Sequence, residues 1–258
     1  MSDGQSKDKK IARLDNANSI YKDIINNCKN KKLAYLDMWE EFQSKSFYTE
    51  NNQQEKIKYK KYARGTVVFV NFGTSIGTEL SGNHFAIVLS KDDNPFSGKV
   101  TVLPLTSKEK KYNIPIEQDL IINIFTSLIM EVGRIVTLMD CIQEDIKGNK
   151  RITYMEKDMV DYIQSYICKS LNSSGGIDIN MDELQHIMAN HLESITNVIN
   201  YYLRYNKNSY AMIDNITTIS KHRINKPINR FDPISNIKIS DGVLDNINKE
   251  IINKIAQK

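Results

Sequence analysis

The sequence predicts an α+β fold, a small β-barrel with helices added before it and within it, and three observations carry that prediction. Strand-like runs recur at short intervals between residues 64 and 106, a turn-forming cluster separates two of them, and the stretch from about 117 to 208 has helical spacing instead. The first run, Val67-Val68-Phe69-Val70, alternates larger apolar side chains with shorter ones after a polar lead-in at Arg64-Gly65, which predicts a half-buried strand. The second, Phe85 to Leu89, is apolar without interruption, and the third, Val100 to Leu105, is rich in β-branched residues, so both suit strands buried in a small barrel. Asp92-Asp93-Asn94-Pro95-Phe96-Ser97-Gly98 between them is a turn.

Polar side chains gather where these strands begin and end. Thr78, Asn83 and His84 precede the second strand, and Thr106-Ser107-Lys108 follow the third. Strand ends on a small barrel give reactive groups a rigid support, so the three runs are expected to deliver them to one mouth.

The remainder divides into four parts: an N-terminal tail and helical extension over 1–55, the first part of the barrel over 56–116, a helical insertion over 117–208, and the last strands with a C-terminal helix over 209–258. Residues 1 to about 15 are expected to be a mobile polar tail. From Asn16 to Ser46, the spacing of Ile20, Ile24 and Cys28 and then Leu33, Leu36, Trp39 and Phe42 predicts one or two amphipathic helices, with Trp39 as a packing anchor. Residues 51–62 read as a polar linker. In the insertion, helices are expected over Asp119–Ile146, Met155–Leu171 and Asp182–Tyr205, with Ser173-Ser174-Gly175-Gly176 as a loop. Val132 to Val136 also suits a strand, which would make Leu138 to Ile142 compete with residues 209–224 for a late strand; the later stretch is preferred.

Composition narrows the function. With 258 residues, 40% of them hydrophobic, the chain can bury a full core as one large or two small domains. Three widely spaced cysteines, Cys28, Cys141 and Cys168, form no Cys-x-x-Cys pair, which points to free thiols in a reducing cytosol and away from a metal site. Met1 to Lys10 lacks the apolar centre of a signal peptide, and no unbroken run of about 18 apolar residues suggests a membrane span, so a cytoplasmic protein is expected. A formal net charge of +4 permits nucleic-acid binding without requiring it. Lys56, Lys58, Lys60, Lys61 and Arg64 lead into the first strand and Lys108, Lys110 and Lys111 follow the third, where they could track a phosphate backbone or simply form a solvated surface. His186 and His191, five residues apart on a helix, point about 140° from one another and make no metal pair.

The order Arg64-Gly65-strand, Gly-containing loop, second strand, turn, and a strand ending in Leu105-Thr106-Ser107 resembles the MazF/PemK toxin endoribonucleases. Leu105-Thr106-Ser107-Lys108 is also similar to the related ToxN and AbiQ toxins. Ser209 to Ile224, with Asp214, Ile216, Thr218, Ile219, Lys221 and Arg223, resembles the family's late strand pair, and Ile239-Ser240-Asp241 opens a run similar to its C-terminal helix. The resemblance implies an SH3-like barrel of the MazF/PemK/CcdB type, a homodimer, and an antitoxin partner, protein or RNA. It also implies metal-independent cleavage of single-stranded RNA with no cofactor, leaving 2′,3′-cyclic phosphate and 5′-hydroxyl ends. On that basis His84, Thr106, Ser107 and Lys108 are the candidate catalytic residues, and Arg64, Thr78, Asn83, Lys110, Lys111, His222 and Arg223 the candidate RNA contacts. The family usually carries an Arg before a Pro where this chain has His84-Phe85, and an imidazole can serve as acid or base near neutral pH. Two other readings follow from the same resemblance: a non-catalytic regulator, and a CcdB-like inhibitor of a protein target.

Overall fold

A computed structural model describes residues 7–52, 57–116, 119–148 and 181–256. Helices α1 (Lys7–Asn26) and α2 (Leu36–Asn52) precede strands β1 (Val67–Asn71), β2 (Asn83–Val88), β3 (Lys99–Thr106) and β4 (Ile114–Pro115). Then come α3 (Asp119–Gly148), α4 (Met181–Leu203), β5 (Tyr210–Ala211), β6 (Thr217–Ser220) and α5 (Asp241–Ile251).

The strands form one antiparallel sheet in the order β1-β2-β3-β5-β4, with β6 also on β3. Beyond β3 the partner changes along the strand: Lys99–Val102 face β6 and Leu105–Thr106 face β5. Pro104 lies between the two pairings, and having no N–H to contribute it suits a point where one ladder stops and another begins. Since β5 and β6 both follow the 117–208 segment, that segment joins two parts of a single sheet.

The sheet is buried on both faces, because successive strand side chains point to opposite sides. Val68, Val70, Ala86, Val88, Val100 and Val102 make one core with Tyr62, Phe72, Ile219 and Ile224. Val67, Phe69, Phe85, Ile87, Leu103 and Leu105 make the other, which includes Leu120, Ile124, Leu128 and Ile135 of α3 and Ile195, Val198 and Tyr202 of α4. The alternation in β1 is thus one of side-chain size, and the strand is not half-buried: Val67, Val68, Phe69 and Val70 are all buried.

The α+β class is as expected, but the sheet is open and does not close into a barrel. The outer edge of β1 meets residues 224–239 through isolated bridges, Val70 to Ile224 and Thr66 to Lys238, rather than a strand. Pro227 and Pro233 supply no N–H, and Ser235 turns the chain at φ 69°, so this segment cannot run as a continuous ladder beside β1. It still covers the edge, with Ser235 N–H donating to Val67 O and Val67 N–H to Ile237 O, at 2.9 and 3.0 Å.

The helical expectations hold for α3 and α4 within a few residues. Val132 to Val136 lie inside α3, while Thr217–Ser220 form the late strand. The expected helix over 155–171 and the loop over 173–176 lie outside the described residues. Leu120–Thr137 of α3 reaches a mean hydropathy of 1.6 over 18 residues. Glu131 and Arg134 pair within it at 2.5 Å, and its inward side chains share the core of the sheet.

At the N-terminus, the expected mobile tail is helical from Lys7 onward. The helix α1 buries no side chain, whereas α2 buries Leu36 and Trp39. Trp39 is the anchor expected: it stacks on Phe42 with ring centroids 5.6 Å apart and covers Gly73 of the β1–β2 loop.

Candidate active site

The register Val70↔His84 and Asn71↔Asn83 puts the end of β1, not its start, beside the start of β2. The pairing Ala86↔Pro104, continued along the strands, brings His84 level with Thr106. The mouth is therefore built by the end of β1, the start of β2 and the end of β3. Arg64, with Lys58, Lys60 and Lys61 before it, lies at the opposite end of the sheet, because β1 runs away from them. Arg64 donates to Leu89 O and to Asn248 Oδ1 of α5, and so fastens the C-terminal helix to the sheet.

A cleft of about 340 Å³ opens at this mouth. Asn83, His84, Thr106, Ser107 and Lys108 line it, with Phe69 and Phe85 from the sheet, and with Arg204, Tyr205, Lys207 and Ser209 from beyond α4. Four candidate catalytic residues and one candidate RNA contact thus share one cavity.

His84 is half-buried and held at both ring nitrogens: Nδ1 lies 3.0 Å from Leu105 O and Nε2 lies 3.2 Å from Ser81 O. A neutral imidazole can donate to only one of these carbonyls, and an imidazolium to both. Thr106 Oγ1 accepts from Lys108 N–H at 3.2 Å, a local turn that leaves the hydroxyl proton free to donate, and Asn113 Nδ2 donates to Lys108 O at 3.1 Å. The Ser107 and Lys108 side chains are exposed.

The other candidates are dispersed. Thr78 lies exposed in the β1–β2 loop and Lys110 in the turn after β3, neither lining the cleft. Lys111 faces a separate cavity with Tyr112. Arg223 stacks over Trp39, 4.9 Å from the ring centroid, and His222 Nε2 lies 3.3 Å from Tyr59 Oη, so this pair braces α2 and the 57–63 segment. Among the described residues no three His, Cys, Asp or Glu side chains gather as a metal site would require.

Residues 63–170 match the PemK-like, MazF-like toxins of type II toxin-antitoxin systems. The likeness to these toxins is confined to that segment, less than half of the chain. The matched segment begins just before β1 and includes every strand end that builds the cleft except the loop beyond α4. No curated protein matches the chain.

No motif in the sequence marks Arg204, Tyr205 or Lys207. The signal available is compositional: Tyr201-Tyr202-Leu203-Arg204-Tyr205 interleaves aromatic rings with a guanidinium at the end of a helix, a combination suited to nucleic acid.

Proposed function

We propose that this protein is the toxin of a toxin-antitoxin pair and a metal-independent endoribonuclease acting on single-stranded RNA. The observation that carries this reading is the convergence of Asn83, His84, Thr106, Ser107 and Lys108 on one cleft from two strand ends. The reaction moves the 2′-hydroxyl proton to a base as the 2′-oxygen attacks the adjacent phosphorus. The P–O5′ bond breaks, the 5′-oxygen takes up a proton, and the products carry a 2′,3′-cyclic phosphate and a 5′-hydroxyl. Thr106 and Ser107 hydroxyls donate to the non-bridging oxygens, and Lys108 balances the growing negative charge. His84 is the proton carrier, which requires the ring to leave one of its two carbonyls; Ser81 O, at 3.2 Å, is the longer contact. Because the nucleophile is the 2′-hydroxyl, DNA is not cut.

The four-part organisation belongs to this reading, with 117–208 as an insertion; β3 pairing with strands that follow that segment supports it. A cytoplasmic homodimer, restrained by an antitoxin that covers the cleft, rests on the family resemblance. A second reading, a non-catalytic regulator of the same fold, is favoured by one observation: both nitrogens of His84 are already engaged by backbone carbonyls.

The test is a metal-free cleavage assay on a mixed single-stranded RNA pool with wild type, His84→Ala and Thr106→Ala, with the chemistry of the new ends mapped. Cyclic-phosphate ends that disappear in both variants support the ribonuclease. Intact RNA with folded wild type transfers the case to the regulator.

A further inference from the structure

We propose that Arg204 is the guanidinium that grips the scissile phosphate in this cleft, supplied by the end of α4 rather than by the sheet. The inference rests on the RNA-cleaving reading and adds a residue to it. A phosphate about to be attacked needs a cation fixed in advance, since a mobile one must be ordered at the moment of reaction. Three cationic side chains line the cleft: Lys108, Arg204 and Lys207. All three are exposed, and the two lysines are point charges on flexible stems.

Arg204 is held differently. Its guanidinium lies over the Tyr201 ring at 3.8 Å from the centroid and over Tyr205 at 5.2 Å. Its Nε donates to Tyr201 O at 2.9 Å, which fixes the rotation of the planar group. Stacking covers a face of the guanidinium, but hydrogen bonding occurs in its plane. The two terminal nitrogens are therefore positioned to make the paired bonds that a phosphate accepts. Among the described residues no carboxylate forms an ion pair with Arg204, so its charge is not spent internally.

The rings that hold Arg204 are themselves anchored. Tyr205 packs edge-on against Phe69 and Phe85, with centroids 5.7 and 5.2 Å away, and Tyr201 packs edge-on against Phe69 at 6.4 Å. Phe69 and Phe85 belong to β1 and β2, so the guanidinium is referenced to the strands that carry His84. Burial pushes the Tyr201 hydroxyl up to about 12, so its ring stays neutral beneath the cation at ordinary pH.

The experiment compares wild type, Arg204→Ala and Arg204→Lys in single-turnover cleavage of the RNA pool, with melting temperatures recorded to exclude misfolding. Arg204→Ala is expected to lose about 10²–10³-fold in the rate constant, more than in KM, as for loss of a transition-state donor. Arg204→Lys should recover only part of this, and free guanidinium ion should raise the rate of Arg204→Ala without affecting wild type. A folded Arg204→Ala that cleaves within about threefold of wild type overturns the proposal and leaves the ribonuclease reading intact, since a true transition-state donor is worth far more.

Binding of uncleavable 2′-fluoro single-stranded RNA decides the matter if wild type itself cuts nothing. Weaker binding by Arg204→Ala, with a salt dependence shallower by about 0.7 in log–log slope, supports the phosphate contact even though the cleavage reading has failed. Unchanged affinity and slope overturn it.

Discussion

The ammonium of Lys221 lies 2.7 Å from the Asp93 carboxylate, and both side chains are almost wholly buried, at 3% and 1% exposure. Lys221 also donates to Lys60 O and Asn94 O, at 3.0 and 3.2 Å, while Asp93 accepts from Tyr62 N–H at 2.8 Å. The pair therefore ties together the lead-in to β1, the β2–β3 turn and the chain just after β6. Removing one partner strands the other charge in the interior. Lys221→Met is expected to cost about 3–5 kcal/mol in denaturant unfolding, and the double variant with Asp93→Leu should recover much of that loss. A Lys221→Met loss as small as that of a surface pair would show that the site hydrates freely.

Gly73 and Trp39 give a second, independent prediction. Gly73 has φ +75°, and a Cβ there would come within 2.5 Å of the Trp39 ring. Gly73→Ala adds backbone strain to an overpacked contact, with an expected cost of about 1–3 kcal/mol. Trp39 is the only tryptophan, so displacement of α2 should appear as a red-shifted fluorescence maximum. An unchanged emission spectrum with unchanged stability would mean that α2 does not dock here.

What the sequence made legible follows from where information is local. Turn residues 92–98, the apolar run from Phe85 and the β-branched run from Val100 determine β2 and β3 almost alone. The position of Trp39 on a helical stripe foretold an anchor. Closure of the barrel was not legible, because it depends on whether residues 224–239 lie as a strand against β1, and Pro227, Pro233 and Ser235 act only once that partner is known. The site was half legible for the same reason. His84 and Thr106 come together by strand register, which local pattern fixes, whereas Arg204 reaches the cleft through the packing of a helix about a hundred residues further on. Arg64 and Arg223, both candidate RNA contacts by resemblance, have contacts with Asn248 and Trp39 that local sequence pattern does not disclose.

His191 should make stability depend on pH. It is buried on α4 against Arg230 and the Phe231 ring, and burial followed by the Arg230 charge lowers its pKa from 6.5 to about 4. Between these values the unfolded chain binds a proton that the folded chain refuses, so unfolding becomes more favourable as pH falls. The stabilisation is complete above about pH 6.5 and is lost progressively as pH drops toward 4. Denaturant midpoints measured over this window should fall more steeply for wild type than for His191→Gln. Parallel curves would show that His191 does not carry the dependence.

The same helix is pinned one residue beyond the Tyr201 ring. Tyr202 donates its hydroxyl to Asp232, 2.9 and 3.1 Å from the two carboxylate oxygens, and Asp232 also accepts from Ile228 N–H at 2.8 Å and Ile234 N–H at 3.0 Å. Burial and the Asp232 charge raise the Tyr202 pKa, which keeps the phenol protonated as the donor. Tyr202→Phe keeps the ring packed against Phe85 but deprives a buried carboxylate of one donor, with an expected cost of about 1–3 kcal/mol. Because this bond ties the end of α4 to the segment covering β1, the variant should also loosen the loop that carries Arg204. Amide hydrogen exchange is expected to speed up over residues 198–209 more than in β2 or β3. Faster exchange spread evenly over the sheet would instead identify Tyr202 as a general stabiliser with no particular hold on the cleft.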